Sequence, residues 1–150
     1  MQKATPGMVR QFRDEDLDTV VRIANSSMTE YYTRNLIMEI SREWPEAFLV
    51  CVVNGNVIGF ITGSKYTRTE ARILLLAVED GFRNCGYGSA LMKEFLRICR
   101  ENEMMSVRLE VKTDNDNAIR FYKGYKFVVT NTLSNYYSDS SDAYLMWRLI

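Results

Sequence analysis

The chain has 150 residues, of which 47% are hydrophobic and 25% charged, as expected for one globular domain over residues 1–150 with 1–7 as a loose lead-in. Nineteen basic residues balance nineteen acidic ones, so no overall basic field favours nucleic acid or a membrane surface. No apolar run approaches the roughly 20 residues of a membrane span, and the N-terminus lacks the apolar region of a signal peptide.

The sequence contains no histidine, the side chain best suited to proton transfer near neutral pH. This excludes a Ser-His-Asp or Cys-His nucleophile and a zinc site built on imidazole, and we expect no metal. Carboxylates, tyrosines, lysines, cysteines or water would have to act as acid and base. Cys51, Cys85 and Cys99 are far apart in the sequence, which favours reduced thiols in a cytoplasmic protein.

The first half of the chain predicts a short strand at residues 8–12, two helices and a β-hairpin. We expect Asp14 to cap the first helix. Its apolar stripe is formed by Leu17, Val20, Val21 and Ala24. The second helix spans about residues 33–43 and ends near Pro45. Asn54-Gly55-Asn56 separates two apolar runs, 47–53 and 57–66, and predicts a hairpin with a primed turn.

The second half predicts three strands and two helices after a central strand. That central strand is "ARILLLAV", residues 71–78, which is apolar enough to lie inside a sheet. The helix that follows has one apolar face, formed by Leu91, Met92, Phe95, Ile98 and Cys99. A strand (106–111), a short helix (115–124) and two closing strands (126–133 and 142–150) complete the order β-α-α-β-β-β-α-β-α-β-β. This order predicts an α/β sandwich around a mixed sheet.

Two glycines, Gly86 and Gly88, open the long helix in "RNCGYGSALM". Glycine weakens a helix, so a phosphate that approaches the bare backbone is one explanation. A P-loop is excluded because no Lys-Ser or Lys-Thr follows the second glycine. A dinucleotide site is disfavoured because Leu91 replaces the third glycine and Glu110 lies inside its strand. A tight strand–helix turn without a ligand is the structural alternative.

Residues 83–88 match the R/Q-x-x-G-x-G/A turn, and about residues 73–127 resemble the GNAT superfamily of N-acetyltransferases. The segments that carry this resemblance are "LLLAVEDGFRNCGYGSALM" and "LEVKTDNDNAIRFYKGYKF". It implies a single-domain α/β fold, with a mixed, largely antiparallel sheet of about seven strands and about four flanking helices. It also implies acetyl-CoA as acetyl donor, and a bulge in the central strand that aims a backbone N–H at the thioester oxygen. The residues it assigns to the cofactor are Leu76, Ala77, Val78, Arg83, Asn84, Gly86, Tyr87, Gly88, Ser89 and Asn115.

The pattern "LEV…N…AI..FY" resembles the ribosomal-protein and N-terminal α-amine acetyltransferases. This implies Glu110 as general base, through water, and Tyr122 as general acid. A phenol of pKa about 10 is protonated near neutrality and can donate to a departing thiolate. The structural alternatives are a solvated Glu110 and a core Tyr122. The chain departs from its relatives at Asn84-Cys85, where a cation is common, and at Lys126, where they have glycine.

The resemblance implies the N-terminal α-amine of a protein or peptide as acceptor, with ribosomal proteins among the candidates. The residues expected to contact the acceptor are Glu30, Tyr31, Tyr32, Tyr136 and Tyr137, although loop tyrosines are often only surface residues. An acceptor lysine, a small-molecule amine, and a non-catalytic acyl-CoA-binding protein are the alternatives. The non-catalytic protein would not need Glu110 or Tyr122. We expect no nucleic-acid or membrane partner, and either a monomer or a homodimer.

Overall fold

The computed structural model describes residues 5–28 and 30–150, which form seven strands and four α-helices. The strands are β1 (Met8–Gln11), β2 (Leu49–Val53), β3 (Asn56–Lys65), β4 (Glu70–Val78), β5 (Ser106–Lys112), β6 (Val128–Leu133) and β7 (Ala143–Leu149). The helices are α1 (Leu17–Ser27), α2 (Arg34–Glu43), α3 (Tyr87–Glu101) and α4 (Asp116–Gly124). The predicted α/β order is confirmed. Residues 1–4 of the predicted lead-in lie outside the described residues.

The strands form one mixed sheet in the order β1-β2-β3-β4-β5-β7-β6. Every neighbouring pair is antiparallel except β4 and β5, which α3 connects as a parallel crossover. The predicted central strand, β4, is the fourth of the seven. Its pairing with β5 covers only residues 70–72, opposite 106–108. Beyond that point the two strands separate and leave an opening in the sheet.

A β-bulge in β4 lies at the start of the opening. Thr62 of β3 pairs with Leu75 and Gly63 pairs with Ile73, so Leu74 is the extra residue. Ile73 is buried in the core beneath α3 and α4, whereas Leu75 is buried in the core beneath α1 and α2. An extra residue shifts the alternation of side chains between faces. At the point where β4 separates from β5, the bulge therefore changes which face of the sheet the following side chains point to.

The cores on the two faces bury the predicted helix stripes. All five predicted apolar residues of α3 are buried. In α1, Ile23 is buried and Val21 only half-buried. The prediction that Asp14 caps α1 is wrong, because the chain enters the helix through a 3-10 turn, Asp14–Asp16. The carboxylate of Asp16 instead accepts the Arg13 N–H at 2.9 Å.

The turn between β2 and β3 has the backbone that the sequence predicts. Asn54 and Gly55 have φ of 51° and 80°. Two consecutive positive φ values are the mark of a type I′ turn, whose twist matches that of the flanking strands. In the part of the chain that the structure describes, no helix is both long and apolar enough to cross a bilayer.

Lys126, two residues after the end of α4, adopts the left-handed conformation, with φ of 69°. Its N–H donates to the Lys123 carbonyl at 2.9 Å, and the Phe127 N–H donates to the Tyr122 carbonyl at 3.1 Å. These two bonds form a Schellman motif, whose left-handed position usually holds glycine. The helix end therefore has the geometry that is usual for glycine, although a lysine, whose Cβ disfavours the left-handed conformation, occupies this position.

We expect Lys126→Gly to raise the free energy of unfolding by about 0.5–1 kcal/mol. The left-handed conformation costs a residue with a Cβ about 1–2 kcal/mol, and the larger entropy of unfolded glycine offsets part of the gain. Urea denaturation measures the change. Lys123→Gly, inside the same helix, is the control and should destabilise by about 0.5–1 kcal/mol. Equal losses in both variants would show that Lys126 bears no such cost.

Candidate active site

A cavity of about 830 Å³ occupies the opening between β4 and β5, a size typical of small-molecule and cofactor sites. Its walls come from β4, β5, α4, the N-terminus of α3 and the loops between α1 and α2, β4 and α3, and β6 and β7. Fourteen of the seventeen predicted site residues line it: Glu30, Tyr32, Leu76, Ala77, Val78, Arg83, Asn84, Gly86, Gly88, Ser89, Glu110, Asn115, Tyr122 and Tyr137. Tyr31, Tyr87 and Tyr136 are not part of this lining.

The glycine turn presents bare backbone to the cavity. Gly86 caps α3 with φ of 88°, and a Cβ added to it would meet nothing within 4 Å. The first intrahelical bond runs from the Ala90 N–H to the Gly86 carbonyl at 3.0 Å. The N–H groups of residues 87–89 precede it at the positive end of the helix dipole. This arrangement suits the phosphates of an acyl-CoA.

Two side chains of the turn bond to residues outside it. Arg83 donates from Nε to the Val78 carbonyl at 3.0 Å and from Nη2 to the Ser27 hydroxyl at 3.3 Å. The buried Tyr87 donates its hydroxyl to the Thr5 carbonyl. Its side chain packs into the core beneath α3, so its N–H is the part of the residue available to a phosphate.

Glu110 projects from β5 toward the cavity, and its side chain is only 8% exposed. Its neighbours Leu109 and Val111 are buried in the core beneath α3 and α4, as strand alternation requires. One carboxylate oxygen, Oε2, accepts Arg72 Nε at 3.0 Å, and Oε1 lies 3.5 Å from Arg108 Nη2. The carboxylate is therefore a partly enclosed, charge-balanced group at the cavity wall.

Tyr122 lies on α4, lines the cavity and is 9% exposed. Its ring packs edge-on against Phe121 and Phe127, with centroids 5.5 and 5.8 Å away. Burial raises the pKa of Tyr122 above the usual 10. Asn115 caps the helix, because its Oδ1 accepts the Ala118 N–H at 3.2 Å. Tyr122 is thus both a core aromatic and a cavity residue.

The two loops expected to hold the acceptor touch each other. Glu30 Oε1 accepts the Ser138 N–H at 2.6 Å, which joins the α1–α2 loop to the loop between β6 and β7. Burial raises the pKa values of Tyr32 and Tyr137, which line the cavity. Tyr31 is instead 77% exposed. Tyr136 is adjacent to the site, and its hydroxyl accepts Arg72 Nη2 at 3.0 Å.

Sequence reasoning missed Arg72 and several cavity-lining residues: Met28, Phe82, Lys112, Asn117 and Phe121. Phe121 packs against the core and also borders the cavity. Arg72 carried a signal, since Glu70 and Arg72 are two residues apart at the start of an apolar strand, and Arg108 and Glu110 repeat this spacing with the charges exchanged. This pattern could be interpreted only with knowledge of the parallel register that places β4 and β5 side by side.

Comparisons with known proteins show the family to which this fold belongs. The profile of the acetyltransferase (GNAT) family matches residues 10–127. The chain is 32% identical over 143 residues to an N-alpha-acetyltransferase of Sulfolobus acidocaldarius, covering 87% of this chain and 85% of that protein. It is 30% identical to a putative ribosomal protein bS18-alanine N-acetyltransferase of Bacillus subtilis, covering 97% of each. The crystal structure of Ard1 from Thermoplasma volcanium superposes with a TM-score of 0.94 and 62% identity, over 96% of this chain and 97% of that one.

Proposed function

This chain belongs to the GNAT family of acetyltransferases and is an acetyl-CoA-dependent N-acetyltransferase, and we propose that it acetylates the N-terminal α-amine of a protein or peptide. One observation carries the proposal. Glu110, Tyr122 and the glycine turn line the same cavity, although they come from β5, α4 and the start of α3. The relatives named N-alpha-acetyltransferase support the choice of an α-amine at the level of the family.

Acetyl-CoA fits the residues that the cavity presents. We propose that its pyrophosphate binds the backbone N–H groups of the turn, from Gly86 to Ser89, with no cation at Asn84 or Cys85 to assist them. The edge of β4 at residues 76–78 lies beyond its pairing with β5, so this backbone is available to the amides of the pantetheine arm. Asn115 contacts the same arm while it caps α4.

Acetyl-CoA supplies the acetyl group as a thioester, whose carbon–sulfur bond breaks as the amine nitrogen bonds to the carbonyl carbon. Glu110 accepts, through a water molecule, the proton that the nitrogen loses. Tyr122 donates its hydroxyl proton to the departing sulfur and regains one from solvent. Burial raises the pKa of Tyr122, so the hydroxyl carries its proton throughout the neutral range. A general acid and a general base each typically accelerate a reaction by about 10²–10⁴-fold.

The ionisation of amines favours an α-amine over lysine. An α-amine of pKa about 8 is roughly one-tenth neutral at pH 7, whereas a lysine amine of pKa about 10.4 is neutral in about one molecule of a few thousand. A site without histidine, whose base is a carboxylate acting through water, is better matched to the first of these. The name of the Bacillus subtilis relative makes ribosomal proteins candidate acceptors.

The proposed function is tested with two versions of each peptide in a panel of short sequences. One version has a free N-terminus and no lysine, and the other has a blocked N-terminus and an internal lysine. We expect acetyl-CoA turnover on the first version and little on the second. A rate on the blocked peptides that matches or exceeds the rate on the free ones would contradict the proposal.

Glu110→Gln should slow α-amine acetylation most near pH 7, by about 10²–10⁴-fold at its largest, because the proton acceptor is lost. The defect should shrink as the pH rises through the α-amine pKa, since more of the acceptor is neutral and solvent removes the proton. A pH–rate profile of kcat from pH 6 to 10 measures this. Glu94→Gln is the control, since Glu94 lies on α3 paired with Arg97 and outside the cavity lining. A Glu110→Gln defect equally deep at every pH would deny Glu110 the base role.

A further inference from the structure

We infer that Arg72 is a positioning residue that holds the Glu110 carboxylate in a fixed arrangement with the loop between β6 and β7, called here the acceptor loop. This inference rests on the proposed base role of Glu110. The guanidinium donates through Nε to Glu110 Oε2 and through Nη2 to the Tyr136 hydroxyl, each at 3.0 Å. The three residues belong to β4, β5 and the loop between β6 and β7. One side chain thus bridges the proposed base and the proposed acceptor loop.

The backbone of Arg72 is well placed to serve as an anchor. Arg72 pairs with Arg108 at the last position where β4 and β5 run side by side. Immediately beyond it, Leu74 forms the bulge and the strands separate around the cavity. The Arg72 side chain therefore starts from the rigid, paired part of the sheet and reaches the carboxylate at the edge of the opening.

The other carboxylate oxygen of Glu110 faces a second arginine, Arg108, which has further contacts of its own. The Arg108 guanidinium lies 4.1 Å from the centre of the Tyr66 ring and 4.0 Å from the Glu70 carboxylate. Glu70 in turn accepts Ser106 Oγ and Trp147 Nε1, each at 2.7 Å. These contacts lie within the sheet and its edge. Arg72, by contrast, donates hydrogen bonds both to Glu110 and to the acceptor loop.

The loop contact makes the arrangement sensitive to the acceptor. Tyr136 packs edge-on against Tyr137, with ring centroids 5.0 Å apart, and Tyr137 lines the cavity. A peptide that orders Tyr137 also orders Tyr136, whose hydroxyl then directs the Arg72 guanidinium and the carboxylate it holds. Misplacing a catalytic group by about 1 Å can cost a factor of 10² in rate. Arg72 therefore acts on the rate through Glu110.

The test is a double-mutant cycle of Arg72→Gln and Glu110→Gln, read as kcat with a peptide acceptor. Arg72→Gln alone should lower kcat about 10–100-fold and change the KM for acetyl-CoA by less than about twofold. In the Glu110→Gln background, the same change should cost less than about threefold, because no base remains to be positioned. Equal losses in the two backgrounds would overturn the inference, since they would show that Arg72 acts independently of Glu110.

Two further variants keep the cycle interpretable. Arg72→Lys keeps the positive charge but lacks the planar fork that reaches two partners, and it should recover only part of kcat. Full recovery would mean that charge, and not the bridge, is what matters, and would overturn the inference. Arg97→Gln removes an arginine from an ion pair on the surface of α3 and should leave kcat unchanged. Circular dichroism verifies that each variant is folded.

The cycle also separates this inference from the proposed function. It uses whichever amine the wild-type enzyme acetylates, so a lysine acceptor would contradict the α-amine proposal and leave the cycle readable. A wild-type kcat in Glu110→Gln would remove the base role and the positioning role together. A large Glu110→Gln defect with additive Arg72→Gln losses would overturn the positioning role alone.

Discussion

Tyr122→Phe should lower kcat about 10²–10⁴-fold while the protein stays folded, because the change removes the hydroxyl proton donor and leaves the ring. The ring contacts with Phe121 and Phe127, at 5.5 and 5.8 Å between centroids, do not involve the hydroxyl. Since burial raises the pKa of Tyr122, the phenolate is disfavoured, and the wild-type enzyme should not lose activity through this group below about pH 10. Steady-state kcat and a thermal melt measure the two effects.

Tyr125→Phe is the matched control for this prediction. Tyr125 is the C-cap residue of the same helix and packs against Phe121, with ring centroids 5.2 Å apart, but it is absent from the cavity lining. Its kcat should stay close to that of the wild type. Wild-type turnover by Tyr122→Phe would return Tyr122 to the role of a core aromatic.

Gly86→Val should raise the Kd for acetyl-CoA about 10–100-fold. The new side chain would occupy the open space beside the turn, where a Cβ meets no protein atom within 4 Å, and would keep phosphate oxygens from the backbone N–H groups. Losing a hydrogen bond to a charged group costs about 1.5–3 kcal/mol, and each 1.4 kcal/mol is a factor of ten. Isothermal titration calorimetry measures the Kd.

Backbone strain must be separated from this blocking effect, because Gly86 has φ of 88° and valine resists positive φ. Gly81 offers the control, since its φ is 93°, it also has open space around it, and it is not among the residues that line the cavity. Gly81→Val should lose a similar amount of stability and keep the wild-type Kd. A folded Gly86→Val variant with the wild-type Kd for acetyl-CoA would show that the turn is not part of the binding site.

Local signals in the sequence were enough to predict most of the fold. The stripe from Leu91 to Cys99 repeats with the period of a helix, and Asn54-Gly55 sets the hairpin by its backbone preference. Both are properties of neighbouring residues, and the structure confirms both. The capping of α1 by Asp14 was wrong because a 3-10 turn and an aspartate at the helix start share the same sequence signature.

The long-range part of the site was not predictable from pattern alone. The Arg72–Glu110 ion pair joins residues 38 positions apart and depends on the register of a parallel strand pair only three residues long. The bulge at Leu74 was expected in the central strand from the resemblance, but its position comes from the pairing with Gly63. The left-handed Lys126 likewise follows from the helix end around it and not from any preference of lysine.

A competition between the two kinds of amine within one peptide distinguishes an α-amine acceptor from a lysine acceptor. A single peptide with a free N-terminus and one internal lysine is incubated with acetyl-CoA and the enzyme at pH 7, and the early product is located by tandem mass spectrometry. We expect the acetyl group on the N-terminal residue, with lysine modified only in trace amounts. A product carrying the acetyl group mainly on lysine would show that the acceptor is not the α-amine.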